Sequence, residues 1–344
     1  MDPGGGRVRA RRSAQHIAVT GGTTALGATV VDRLRTQLRG STVTEIDKPS
    51  PDALAGVDVV IHLATDRAAD TPAAARRAVN VHGTELLLDA AVAAGVRRVV
   101  LLTSAMVYGA NAENDIPLDE DGPLLAAATV GLLGDWMAME QAAGDRRGKG
   151  AAGLEIVSVR PASLVGLVSD SLLPGLFESV RLLAIRDGRC HWQFCHTDDL
   201  VAALVAAASG EVSDSVTVGC DGWIDRRQVE SIALWMAVGL LAAVAFATAD
   251  RLHRIGVLAS PSSDLEYLMH PWVIGAQRLR ATGWTPAWTN QAALADHVTT
   301  LGDRVGRSLV VVDRKNATRA AAGAGATLAV VGSLALARAR SRRR

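Results

Sequence analysis

The chain has 344 residues, a formal net charge of +1 and three cysteines, Cys190, Cys195 and Cys220. That length buries a large core without covalent staples, and the near-neutral charge argues against a general nucleic-acid surface, which needs clustered cations against many phosphates. No secretory signal sequence precedes the cysteines, so the expectation is a reducing cytoplasm and no disulfide framework.

Residues 1–13 are rich in Gly and Arg and read as a disordered basic tail. A short β-rich run at 17–20 then leads into Gly21 and Gly22, and 28–38 reads as the following helix. The next stretch holds one clear strand, 42–46. Residues 58–64 and 98–103 are continuous apolar runs, the pattern of parallel strands covered on both faces. A helix is expected between them at 81–94, and 154–159 is a further strand ending at Arg160 and Pro161. Strands alternating with helices predict an α/β fold with a doubly wound parallel sheet. The expected division is 14–188 for a dinucleotide-binding domain and 189–310 for the last sheet elements with a smaller, interleaved substrate-binding portion. Six of the seven tryptophans lie from Trp192 onward, which marks that change of texture.

Two apolar stretches raise the membrane question. Residues 232–249 sit within the globular part and read as a buried helix. In 311–344, the Ala- and Gly-dominated run 320–337 precedes an arginine-rich terminus. Ala and Gly drive insertion weakly, and the arginines favour an anionic surface. Docking at a membrane surface or on a partner is therefore the reading there, in preference to crossing.

Thr20-Gly21-Gly22-Thr23-Thr24-Ala25-Leu26-Gly27 stands between a strand and a helix, the context in which a glycine-rich motif carries meaning. Glycine permits tight turning and close approach of backbone to a pyrophosphate, whose charge then meets the amides at a helix N-terminus. Gly21, Thr23, Thr24, Leu26 and Gly27 are accordingly candidate cofactor contacts.

This turn is followed by Asp58-Val59-Val60-Ile61-His62-Leu63-Ala64, Asn80-Val81-His82-Gly83-Thr84 and Thr103-Ser104-Ala105-Met106-Val107-Tyr108-Gly109. Arg160-Pro161, His196-Thr197-Asp198-Asp199-Leu200, His270-Pro271-Trp272 and Gly283-Trp284 continue the series. The ordered set, over roughly residues 14 to 300, resembles the extended short-chain dehydrogenases/reductases of the NAD-dependent epimerase/dehydratase family. The resemblance implies a Rossmann-type fold, a bound NAD with NADP not excluded, and a nucleotide-sugar or similar carbonyl substrate. It also implies Leu63 and Ala64 near the adenosine half, Pro161 among the cofactor contacts, and a homodimer paired through two helices of the Rossmann half.

Two departures concern the cofactor. The family turn carries a middle glycine where this chain has Thr24, whose side chain narrows the approach of the phosphates. The stretch from Gly27 to Asp58 is short by one strand, which leaves two readings of Asp47. It holds the ribose hydroxyls, or it follows the third strand. Its position 20 residues after Gly27 favours the ribose, and a carboxylate there repels a 2′-phosphate.

A larger departure concerns catalysis. The resemblance implies a Ser at a strand end with a Tyr-x-x-x-Lys on the next helix, the Lys lowering the phenol's pKa so that it exchanges a proton near neutrality. Ser104 fits the first role. With Glu140 taken as the acid that follows the motif, Leu132 stands in the tyrosine position and Trp136 in the lysine position. Thr129 is the nearest polar substitute. Asp135 would be a base if burial raised its pKa, but it reads first as an ionised helix-surface residue. Tyr108 belongs to the substrate-side loop rather than to the relay.

Cys190, His191, Cys195 and His196 tempt a metal reading, but strand alternation sends Cys190 and His196 to one face and the other two to the opposite face, so no metal site is expected. His196 is a substrate contact or a structural histidine, with Asp198 or Asp199 as helix cap. Arg160 is an anion contact for substrate or a structural salt bridge. Two functional classes therefore stand. One is an epimerase/dehydratase-like oxidoreductase with an unusual or absent proton donor. The other is a catalytically silent dinucleotide-binding sensor or scaffold.

Overall fold

A computed structural model describes residues 14–68, 71–148, 153–167, 183–186, 188–233, 238–255 and 260–306. The glycine turn is entered from β1 (His16–Thr20), whose Ile17, Ala18 and Val19 have no solvent exposure. Helix α1 (Ala25–Gln37) follows and buries Leu26, Val30, Val31 and Leu34, the spacing that puts one stripe of a helix against a sheet. Next come β2 (Thr42–Ile46), β3 (Val59–His62), α2 (Ala73–Arg77), a π-helical turn (Ala78–His82) that runs into α3 (Gly83–Ala94), and β4 (Arg98–Leu102). A 3-10 turn (Ala105–Tyr108), α4 (Gly131–Gly148) and β5 (Glu155–Pro161) complete the first half.

The second half holds β6 (Ser163–Val165), β7 (Leu183–Ile185), β8 (Phe194–His196), α5 (Thr197–Ala208) and β9 (Ser215–Val218). It continues with α6 (Arg226–Ala233), β10 (Val238–Leu240), α7 (Ala242–Arg254), a 3-10 helix (Ser262–Leu268), α8 (Gln277–Ala281) and α9 (Asn290–Gly306). Six strands form one parallel sheet in the order β2-β1-β3-β4-β5-β9. Two small parallel pairs, β6 with β8 and β7 with β10, stand outside it. The fold is the expected α/β class with a parallel central sheet.

Connections leave β1 in opposite directions, to β2 on one side and β3 on the other, so the topological switch lies between β1 and β3. Ligands of open α/β sheets bind in the crevice outside the carboxyl ends at that point. Gly21 follows β1 there, and Leu63 and Ala64 follow β3.

One expectation is corrected by the fold. The stretch 232–249 is not a single buried helix: it is shared among the end of α6, the strand β10 and the helix α7, with 234–237 outside the described residues. Helix α7 buries only Ala245, Ala249 and Leu252 and leaves Leu241 and Val244 about half exposed, because it covers the periphery rather than the central sheet. No helix among the described residues is long and apolar enough to cross a membrane. The basic tail 1–13 and the segment 311–344 lie outside the described residues.

Candidate functional site

The site is built from the carboxyl ends of β1, β2 and β3 and the N-terminus of α1. Gly21 has φ +69°, and a Cβ there would stand 2.8 Å from the Ala64 nitrogen and the Leu63 carbonyl. Only glycine brings the turn this close to β3. Gly27 is held as tightly, since a Cβ would lie 2.0 Å from the Gly21 carbonyl oxygen. The turn and the first turn of α1 are thereby clamped together.

Thr24 is the N-cap of α1. Its hydroxyl donates to the Gly21 carbonyl at 2.8 Å and accepts from the Gly27 amide at 3.0 Å. The side chain that departs from the family glycine is thus turned onto its own loop, and it satisfies one of the amides a helix start leaves open. The amides of Ala25 and Leu26 have no acceptor within the helix by the geometry of its first turn. No acidic residue of the helix stands in its first turn, while the Glu45 side chain of β2 packs beside Gly22. Thr23, Thr24 and Ala25 are exposed beside it.

Asp47 follows β2 directly and is exposed. Because β2 pairs with β1 through Thr20 and Ile46, Asp47 stands one position past the level of Gly21's strand end. The strand missing from the sequence is the one that would lie outside β2, so β2 is the sheet edge. This puts Asp47 after the strand next to β1 and not after a third strand.

Toward β4 and β5 the character changes. Ser104 is buried, and its Oγ accepts from the Met106 amide at 3.3 Å, capping the 3-10 turn. Leu132 is buried and Trp136 has no exposure at all. The Arg67 guanidinium lies 5.8 Å above the Trp136 ring. Thr129 is exposed just before α4.

Glu140 organises the floor. Its two oxygens take Arg160 Nε and Nη2, each at 2.8 Å, together with the hydroxyls of Thr103 at 2.7 Å and Ser158 at 3.0 Å. Burial opposes the charge of both partners, but the Arg160 bonds hold the Glu140 carboxyl below its ordinary range and Glu140 in turn keeps Arg160 firmly protonated. Arg160 Nη1 also donates to the Tyr108 hydroxyl at 2.7 Å, and that hydroxyl donates to the Glu120 carbonyl at 2.9 Å. Burial raises the Tyr108 phenol above its usual pKa despite the nearby guanidinium. Arg160 and Tyr108, expected as substrate contacts, are spent inside the fold. Pro161 is buried at the end of β5, paired with Val218.

His196 is stacked on Trp288 with ring centroids 3.7 Å apart. It, and not Asp198 or Asp199, caps α5: its Nδ1 accepts from the Asp198 amide at 3.2 Å. Asp199 serves instead as acceptor for the amides of Ala287 and Trp288. The cap stands two or three residues before the aspartates expected to provide it, because an imidazole nitrogen serves as the acceptor. Asp135 is likewise corrected. It is buried, not on the helix surface, and receives Arg76 Nε at 2.8 Å and Asn80 Nδ2 at 3.3 Å.

Two features had no sequence signal. The Arg76–Asp135 pair joins positions 59 residues apart. Asp264, on the 3-10 helix Ser262–Leu268, is buried so deeply that its carboxyl is pushed up to about 7, with Ser260 and Arg76 pulling the other way. Burial also raises the thiols of Cys190 and Cys220 to about 12, which removes them as nucleophiles near neutrality. Among the described residues no group of three His, Cys, Asp or Glu is placed to hold a metal ion.

The sheet order and the glycine turn at its switch point define a Rossmann-type α/β protein. The model of the NAD dependent epimerase/dehydratase family matches residues 17–219, more than half of the chain, and the chain belongs to that family. Among curated relatives it is 26% identical over 191 residues to an uncharacterised protein of Sinorhizobium fredii, covering 53% of this chain and 46% of that one. The chain thus spans about half the length of that relative. Among solved structures it resembles a short-chain dehydrogenase/reductase superfamily protein from Agrobacterium tumefaciens with bound NAD, at TM-score 0.60 and 22% identity over 85% of this chain and 99% of that one. It also resembles a dTDP-glucose 4,6-dehydratase from Streptomyces venezuelae with NAD bound, at TM-score 0.62 and 18% identity over 85% and 98%.

Proposed function

We propose that this chain binds NAD on the Gly21–Gly27 turn and has lost the proton relay of its family, so that it acts as a dinucleotide-binding protein of the sensor or scaffold kind. The turn residues fit the group. Gly21, Thr23, Thr24, Leu26 and Gly27 would surround the pyrophosphate, Asp47 would accept both ribose hydroxyls, and Leu63 with Ala64 would border the adenosine. Asp47 disfavours a 2′-phosphate by charge, which sets NAD ahead of NADP.

When bound, NAD supplies a hydride acceptor. Among the described residues, the positions that would carry the relay hold no group to move the accompanying proton. Leu132 and Trp136 are apolar and buried, the Tyr108 phenol is raised by burial, and Asp135 is committed to Arg76. The observation that carries the reading is this pairing of a formed cradle with Trp136 under Arg67 where the family has an ammonium. Native mass spectrometry of the purified protein tests it, with one dinucleotide per subunit expected, retained or added. A bare chain that stays bare in excess NAD, NADH, NADP and NADPH refutes it.

One observation favours a second reading. Ser104 keeps the family position past β4 and has an O–H beyond the bond its oxygen accepts. An oxidoreductase acting on a nucleotide-sugar or similar carbonyl would use that hydroxyl, with water or Thr129 as proton source. Hydride transfer to such a carbonyl that disappears in Ser104→Ala would establish it over the first.

A further inference from the structure

We propose that the nicotinamide half of a bound dinucleotide adds no affinity in this site, so that the ligand class is set by the adenosine diphosphate moiety alone. The inference rests on the proposed dinucleotide reading and sharpens it. A dinucleotide seated on the glycine turn runs across the carboxyl ends from β2 toward β4 and β5. Its distal nucleoside carries ribose hydroxyls and a carboxamide. Removing those from water is favourable only where polar partners replace the lost hydration.

At that end the described side chains are committed, apart from the O–H of the buried Ser104. The Ser104 oxygen caps its own turn, and the Thr103 hydroxyl is given to Glu140. The Tyr267 hydroxyl donates to the Met106 carbonyl at 2.5 Å. Leu132 has nothing to offer, and Pro161 has no N–H. Trp136 Nε1 is a donor with no acceptor, but it is closed off from solvent within a fully buried indole that Arg67 covers. A ligand hydroxyl reaches it only by displacing that guanidinium. The proximal end is the reverse: Thr23 and Asp47 are exposed, beside the amides of the helix start. Recognition is therefore concentrated at one end of the crevice.

The test is calorimetric titration of the full chain with NAD, ADP-ribose, ADP and nicotinamide mononucleotide. The expected result is agreement of the NAD and ADP-ribose dissociation constants within about threefold, with no mononucleotide binding up to about 1 mM. NADH bound under the same conditions should keep the emission of the free coenzyme, because its ring stays in water. An NAD affinity at least about tenfold above that of ADP-ribose, or displacement of NAD by the mononucleotide, overturns the inference and leaves the dinucleotide reading intact. Failure of all four to bind overturns both. Ser104→Ala should leave the NAD constant unchanged, and a loss on that substitution would place the distal ribose on Ser104 against the proposal.

Discussion

Thr24 shows how one side chain can serve the fold and tax the ligand. Its hydroxyl bridges the Gly21 carbonyl and the Gly27 amide, so it stabilises the turn while consuming an amide that a phosphate could use. Thr24→Ala should lower stability by about 1 kcal/mol in urea unfolding, as for the loss of an N-cap. Thr24→Gly should cost only a few tenths and bind NAD more tightly, since the Gly27 amide is released. Arg160 is the opposite case, a residue that looks like a ligand contact and is architectural. Arg160→Ala leaves Glu140 buried with its principal partner removed, and denaturant melts should show a loss of about 3–5 kcal/mol. A near-neutral effect on stability would return Arg160 to the binding surface.

Among elements, β2 and the 3-10 helix Ser262–Leu268 carry the most informative consequences. Asp47 hangs from the exposed edge strand, so Asp47→Ala should leave folding intact and weaken NAD at least about tenfold while relieving the bias against NADP. Equal loss for both coenzymes would show that the carboxylate is not at the ribose. Asp264 lies near 7 in the folded chain and near 3.8 otherwise, so the folded state holds its proton more tightly. Its contribution is fully present below about 4, is lost as pH rises to about 7, and is flat above. Asp264→Asn should therefore melt higher than the parent at pH 8, with the difference shrinking toward pH 4. An unchanged difference across that range contradicts the burial argument. These same elements show what the sequence could reveal. The strand at 42–46 is found at those bounds and Asp47 was visible after it, because a short alternation and a spacing from Gly27 are local signals. The burial of Asp135 was not legible, since only the tertiary fold brings its partner Arg76 near, and no local signal marks that of Asp264. Residues 232–249 misled for a related reason. Apolarity alone does not distinguish a core helix from a strand followed by a half-exposed helix.

At the scale of the whole molecule, a six-stranded parallel sheet places its switch point between β1 and β3 and so fixes where a ligand lies before any side chain is considered. The order of motifs along the chain made that much readable, down to the shortage of one strand between Gly27 and Asp58. The scarcity of candidate relay residues was readable too, from a sequence with only three lysines and two tyrosines. What required coordinates was the allocation of polar groups. Exposed polar residues stand at the β1–β3 end, and the β4–β5 end is spent on the Glu140–Arg160–Tyr108 network. The account stands or falls on coenzyme binding at the cradle. Equilibrium titration of the full chain with NAD measures this most directly: one site per chain with a dissociation constant below about 1 mM is predicted, and no saturable binding to that concentration would contradict it.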